Sequence, residues 1–349
     1  MVKKLLLFII SGYCAFSIAE QINEVSKYSQ PITDMHVHYL NFVQQTDGMN
    51  SFINSLNEAN VSDAIFTGMG LSEEWNADER EQPRYYLDSD TDKVFWDPRT
   101  DYLVANAYLR SNKQIQKRLH PFASGFNGND KSSGQYLQLL LSSYPGVFQG
   151  IGEIFGHHDS LGHKITGSAP NPTSSGYKIL YQIAAKYRMP VLLHSNITTW
   201  SQTDNNRYLP EMEEILKDYP NTNFIWAHAG MSRFLSVKNL TPLFDKLLTK
   251  YPNLNFDISW FAWEGVIYNG NKLDPLWKAL IIKYPTRFMI GSDFVGKFKD
   301  ASAYSAEIHK FDVLLYQLPP GAAKNVAHDN FLNLLPPPVV LKAEDRMQL

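Results

Sequence analysis

Ile32-Thr33-Asp34-Met35-His36-Val37-His38 is a short β-branched and apolar run that ends in two histidines one residue apart. Alternation along a strand places His36 and His38 on one side and Val37 on the other. The same pattern, an apolar run closing on a polar residue, recurs along the chain. Val61 to Met69, Leu119 to Phe126, Val147 to Ile154, Pro190 to His194, Asn223 to His228, Leu254 to Ser259 and Arg287 to Asp293 complete eight strand candidates. Between them lie helix-period segments such as Ile179, Leu180, Ile183, Ala184 and Tyr187, or Ala322, Ala323, Val326, Ala327, Phe331 and Leu334. Eight strands alternating with helices is the count that closes a (β/α)8 TIM barrel, so the expected fold class is α/β and the expected organisation one domain over residues 20–349.

Composition agrees. The chain has 349 residues, 44% hydrophobic and 19% charged, which excludes disordered, collagen-like and coiled-coil classes. A net charge of -3 gives no electrostatic reason to expect nucleic acid or an anionic membrane surface as partner.

The first residues read differently. Lys3 and Lys4 precede an apolar run from Leu5, and Ser17-Ile18-Ala19 supplies small residues where a signal peptidase cuts, so residues 1–19 are expected to be a signal peptide and the mature chain periplasmic or secreted. From Lys4 to Glu20 there are only about fifteen residues, interrupted by Ser11 and Gly12, short of the roughly 20 of a spanning helix. Tyr13 before Cys14 argues against lipidation. Cys14 is the only cysteine, so a chain cut after Ala19 has no disulfide and relies on core packing.

One connection is long. Leu71 to Thr100, after strand 2, is dense in charge and carries Trp75, Tyr85, Tyr86, Phe95 and Trp96. It leaves the barrel face where active sites lie, and those aromatics are costly to leave in water, so it reads as a lid insertion. Trp260, Phe261, Trp263 and Glu264 after strand 7 form a second candidate wall, with Trp260 a candidate substrate contact. The tail, residues 336–349, starts with three prolines and should run extended over the surface. With the exposed aromatics it hints at a homodimer.

The polar residues sit where strands end. His36 and His38 on one face can chelate one ion, and Leu193-His194, Ala227-His228 and Ser292-Asp293 add two more imidazoles and a carboxylate on the same rim. Four histidines and an aspartate converging there would be unpaired without a shared partner, and a divalent metal supplies it. Neutral imidazole and carboxylate suit zinc, with manganese or iron as alternatives, and without a thiolate the site is of the open, catalytic type. Asp257 ends strand 7 on the interior side, to support a ligand or bind substrate. Arg233, in the loop after His228, could present its guanidinium to a substrate carboxylate or cap the adjacent helix. His157 and His158 are extra donors beyond strand 4. His120, at the opposite end, and His163, His309 and His328 read as structural.

With Asp34-Met35-His36-Val37-His38, Leu193-His194, Ala227-His228-Ala229-Gly230 and Gly291-Ser292-Asp293 in that order, and Ala323 to Leu335 as a closing helix, the sequence resembles the amidohydrolase superfamily of metal-dependent hydrolases, amidohydrolase-2 group, over about residues 31–335. The resemblance implies that His36, His38 and Asp293 hold the more buried metal and that Asp293 takes the proton from metal-activated water as general base. It implies that His194 binds the same metal or a second one, and that His228 completes that second site or polarises the substrate carbonyl. Glu153 stands where two-metal relatives carry a bridging carboxylated lysine or glutamate, to bridge two ions or to orient His194 or His157.

The function that follows is cleavage of a small-molecule ester, lactone or amide with one or two metal ions. The alternative is non-oxidative decarboxylation, which the same group also performs on this framework. Export and Glu153 favour hydrolysis. A non-catalytic metal- or sugar-binding barrel is disfavoured because every expected ligand is present.

Overall fold

In the computed structural model, described for residues 27–88, 93–199, 206–232, 237, 239–260, 266–269 and 272–345, eight short strands form one parallel sheet in sequence order. They are β1 Ile32–Asp34, β2 Val61–Phe66, β3 Leu119–Ala123, β4 Gly150–Phe155, β5 Val191–His194, β6 Phe224–Trp226, β7 Leu254–Asp257 and β8 Phe288–Met289. Each falls within or against its expected run. Helices connect them, as Ser175–Tyr187 does between β4 and β5 and Leu240–Lys250 between β6 and β7. The crossovers cover the sheet, which is why its strands are near-continuous apolar runs.

The sheet curls until its two edges meet. Met35 N–H donates to Ile290 O at 3.2 Å and Asp293 N–H to His36 O at 2.6 Å. Beyond these bonds Phe294–Val295 pairs in parallel with Val37–His38. Gly291 permits the approach, since a Cβ there would lie 2.7 Å from the backbone nitrogen of His36. Strand 8 is therefore two short pieces around an irregular corner, where the sequence reads as one run to Asp293.

Alternation explains what each strand buries. Trp226, Phe256 and Phe288 face outward; Phe256 stacks on Phe244 of the helix Leu240–Lys250 with ring centroids 4.4 Å apart, Phe288 stacks on Phe256, and Trp226 contacts Phe244 at a tilt. Asp257, next to Phe256, faces the interior and is fully buried.

The long connection has structure. Leu71–Glu73 and Val94–Trp96 pair as an antiparallel hairpin, and a helix begins at Arg99. Tyr86 is buried in a satellite core with Phe42, Leu71, Phe155 and Leu161, and Tyr85 packs against it. Trp75 is 51% exposed. The tail crosses the start of β4, where Val339 N–H donates to Phe148 O and Gly146 N–H to Val339 O. Val339 and Leu341 are thus buried against their own chain. The expected signal peptide lies outside the described residues, among which no helix is long and apolar enough to cross a membrane.

Candidate metal centre

Four imidazoles gather at the carboxyl ends of the strands. Ring centroids of His36 and His38 are 5.3 Å apart, those of His36 and His228 4.9 Å, and those of His194 and His228 4.9 Å. One nitrogen of each is anchored by the protein. His36 Nδ1 meets Asp257 Oδ2 at 2.7 Å, His38 Nδ1 meets Gly68 O at 3.0 Å, His194 Nδ1 meets Glu153 Oε1 at 2.9 Å and His228 Nδ1 meets Ser259 Oγ at 2.9 Å. The other nitrogen, Nε2, of His36, His38 and His194 is buried without a hydrogen-bond partner. An orphaned buried polar atom costs about 1–3 kcal/mol, so three in one place call for a shared partner.

Two carboxylates face those nitrogens. Asp293 Oδ1 lies 3.4 Å from His36 Nε2 and 3.5 Å from His38 Nε2, and its Oδ2 3.7 Å from His228 Nε2. Glu153 Oε1 lies 3.5 Å from His36 Nε2 and its Oε2 3.3 Å from His38 Nε2. His36, His38 and Asp293 make one group whose ligand atoms fall within 4.8 Å of one another, and Glu153, His194 and His228 make another. These separations suit atoms sharing an ion, and imidazole with carboxylate is a donor set for a divalent cation. Electrostatics point the same way. Burial alone would depress His38, but the Asp293 and Glu153 carboxylates beside it outweigh burial and push it up to about 9. Burial would raise Glu153, yet His36 and His194 hold it well below the usual carboxylate range. Beside His36 and His38 the carboxylates stabilise positive charge, which a cation can provide.

A further ring of residues holds the donors, and most of it carries no signal in the sequence beyond strand-end position. Asp257 accepts from Ser259 N–H and Ser259 Oγ as well as facing His36. Asp257 lies beside His36, fully buried, and is not among the residues that line the chamber described below. Ser259 shares the face of Asp257 through its i+2 spacing. Asp34, in the strand-1 motif, is also one of these supporting residues. It accepts from Ser292 N–H, Ser292 Oγ and Tyr304 OH, tying the first strand to the last. Burial pushes its carboxyl up to about 6 in spite of these donors.

His228 (φ 52°), Ala229 (φ 51°), Trp260 (φ 54°) and Asp293 (φ 52°) all adopt the left-handed backbone conformation. Non-glycine residues pay about 1–3 kcal/mol for such conformations, and clusters of them mark functional sites. At strand 6 this replaces the expected strand end, since Ala227–Gly230 turns away from the sheet just after Trp226 and so swings His228 over the centre.

Above the centre is a chamber of about 30 Å³, lined by His38, Glu153, His194, His228, Asp293 and the aromatic Tyr85, among others. Trp260 also lines it, with its ring 5.1 Å from that of His228. The two loop histidines part company. His157 stacks on Tyr208 at 3.5 Å and bonds Glu211 at 2.6 Å, away from the chamber. His158 stacks on His194 at 4.5 Å and reaches the chamber. Leu161 N–H donates to His158 Nδ1, so the neutral ring carries its proton on Nε2, and burial with His194 nearby pulls His158 down to about 4. Arg233, Phe261, Trp263 and Glu264 lie outside the described residues. His120 and His309 make local pairs remote from the centre, with Asp63 and Asp312.

Comparison with known proteins gives these features a family. The Amidohydrolase family matches residues 162–336, and the chain belongs to it. Membership supports an enzyme of hydrolase type. An uncharacterised TIM-barrel protein of Bordetella bronchiseptica superposes with a TM-score of 0.51 at 13% identity, covering 87% of this chain and 98% of that one. A protein of Staphylococcus aureus with a provisional amidohydrolase assignment gives 0.50 at 13% identity, over 88% and 99% of the two chains. At such identity the likeness speaks to fold alone. No curated protein matches the sequence.

Proposed function

We propose that this chain is an exported, metal-dependent hydrolase that cleaves an ester, lactone or amide of a small molecule, built as a closed (β/α)8 barrel with residues 71–100 as its lid. The observation that carries the reading is the convergence of three buried, unpartnered imidazole nitrogens, those of His36, His38 and His194, on the Asp293 and Glu153 carboxylates. His36, His38 and Asp293 would hold one ion, and Glu153, His194 and His228 a second, with Glu153 reaching both sets. Zinc is the first choice, and manganese or iron fit the same donors. A divalent cation there supplies Lewis acidity, lowering the pKa of water toward neutrality and polarising a carbonyl oxygen.

The side chains do the rest. Asp293 is 19% exposed, whereas Glu153 and Asp257 are almost wholly buried, so Asp293 is the site carboxylate that can accept a proton from the cavity at Oδ and pass it to the leaving group. His228, anchored through Nδ1, presents Nε2 beside Asp293 to a substrate carbonyl oxygen. His158, stacked on His194, lines the same chamber and carries an Nε2–H. Trp260 and Tyr85 narrow the chamber and exclude bulk water.

The test is metal content per chain on protein purified without chelator, beside Glu153→Ala, followed by assay on a panel of neutral aryl esters and lactones. Two equivalents falling to one, with ester cleavage lost on chelation and restored by metal, are expected. Metal-free protein from both would overturn the reading, and release of carbon dioxide from aromatic acids without ester cleavage would replace hydrolysis by decarboxylation.

A further inference from the structure

The chamber at the metal centre has room for little more than a water-sized group, about 30 Å³, so the body of any substrate must lie elsewhere. Two cavities flank it. One, of about 370 Å³, opens beyond His158 and is lined by Asp159 and neutral polar groups such as Asn196 and Thr198, with no lysine or arginine among its described lining. The other, of about 350 Å³, shares Asp293, Trp260 and Tyr85 with the chamber and is therefore its continuation. Its charged lining holds three cations and two carboxylates, Asp293 and Glu307. Arg84 comes from the long connection after strand 2, Lys297 from the turn after strand 8, and Lys310 from the end of the following helix. Lys310 pairs with Glu307 at 2.8 Å. Arg84 and Lys297 have no ion pair among the described residues. In a protein of net charge -3, two exposed cations without an ion pair among the described residues thus stand at the mouth of a site whose own carboxylates would repel an anion. The walls between mouth and chamber are aromatic, formed by Tyr85, Trp260 and Phe294.

We propose that the substrate is a small acid whose anionic head is held by Arg84 and Lys297, with its apolar body between Tyr85, Trp260 and Phe294 and its scissile bond at Asp293. This rests on the hydrolase reading and adds the class of molecule it takes. Two cations set in a cleft with low-dielectric walls draw an anion in and fix which end enters first. The lid segment, through Arg84, then becomes part of substrate selection.

The experiment reads binding without turnover. Benzoate, phenyl phosphate and neutral benzamide are titrated into the protein as purified, by calorimetry, for the wild type, Arg84→Gln, Lys297→Gln, the double variant, and Lys113→Gln as a charge-matched control on a remote helix. Benzoate or phenyl phosphate is expected to bind about tenfold more tightly than benzamide, with most of the preference lost in the double variant and kept in the control. Whichever anion binds more tightly names the head group as carboxylate or phosphate. Equal binding of benzamide and both anions, no measurable anion binding, or a preference that survives in the double variant would overturn the proposal. The last result would show an anion held by the metal centre alone. Metal content and ester cleavage do not enter the readout, so the proposal can fail while the hydrolase reading stands.

Discussion

His120 lies at the start of β3 and His36 just past the end of β1 in the same sheet, and the protein treats them oppositely. At the start of β3, His120 has both nitrogens satisfied, Nδ1 by Gln149 at 3.0 Å and Nε2 by Asp63 at 3.1 Å. At the far rim, His36 is pinned through Nδ1 by Asp257 while its Nε2 is buried with no hydrogen-bond partner. His36 is fully buried and His120 part-buried, and they differ further in the number of nitrogens the protein leaves open. The amino end of the sheet completes its own hydrogen bonding, and the carboxyl end withholds it at three neighbouring atoms.

Mutations can break or sharpen that contrast. Removing an open nitrogen should have the largest effect: His38→Ala is expected to lower metal content and reduce ester hydrolysis by about 10³-fold or more. Full activity in that variant would dissolve the contrast at once. Removing only the anchor of an open nitrogen should do less. Asp257→Asn keeps the shape but weakens the hold on His36 Nδ1, and a loss of about 10–100-fold in metal affinity, read by competition with a chromogenic chelator, is expected. His120→Ala should act on stability alone. Its two partners lose their contacts, so urea unfolding should show about 1–3 kcal/mol less stability with metal per chain unchanged; metal loss there would mean that the two ends are not independent. The smallest effect belongs to Trp75→Ser. That side chain is half exposed within the connection after strand 2, and its replacement should change stability by less than about 0.5 kcal/mol and leave turnover as it was. A large fall in turnover would show that this connection acts through Trp75 and not only through Tyr85 and Tyr86.

The sequence was informative wherever one residue's neighbours along the strand determine its direction. Apolar runs closing on His38, His194 and Asp293 locate the strands and the rim together, because period two leaves a strand-end residue only two ways to face. Asp257 beside Phe256 follows the same logic. What stayed hidden depends on contacts between distant segments. The carbonyl of Gly68 under His38, Ser259 under His228, and Tyr304 on Asp34 are partners chosen by the closure of the sheet, with no local pattern to announce them. His228 shows the limit from another side. Its position at the end of an apolar run was legible, but its left-handed backbone was not, because histidine, though enriched at positive φ relative to most residues, adopts it in only a small minority of cases. The loop pair His157 and His158 looked equivalent in sequence and diverged in structure, since outside a strand adjacent residues follow their separate surroundings.

The seam between the first and last strands sets an order of events. Asp34 and Ser292 are 258 positions apart, and the His36 and Asp293 donors flank that same junction. Contacts of such separation carry the highest loop-closure entropy and tend to form late. A growing or partly folded chain therefore holds histidines but not the complete proposed ligand set, and tight capture of a cation would signal that the two ends of the chain have met. Under the proposed export before folding, the ion would be drawn from the compartment of arrival, and the metal supply there, rather than in the compartment of synthesis, would decide which ion fills the centre.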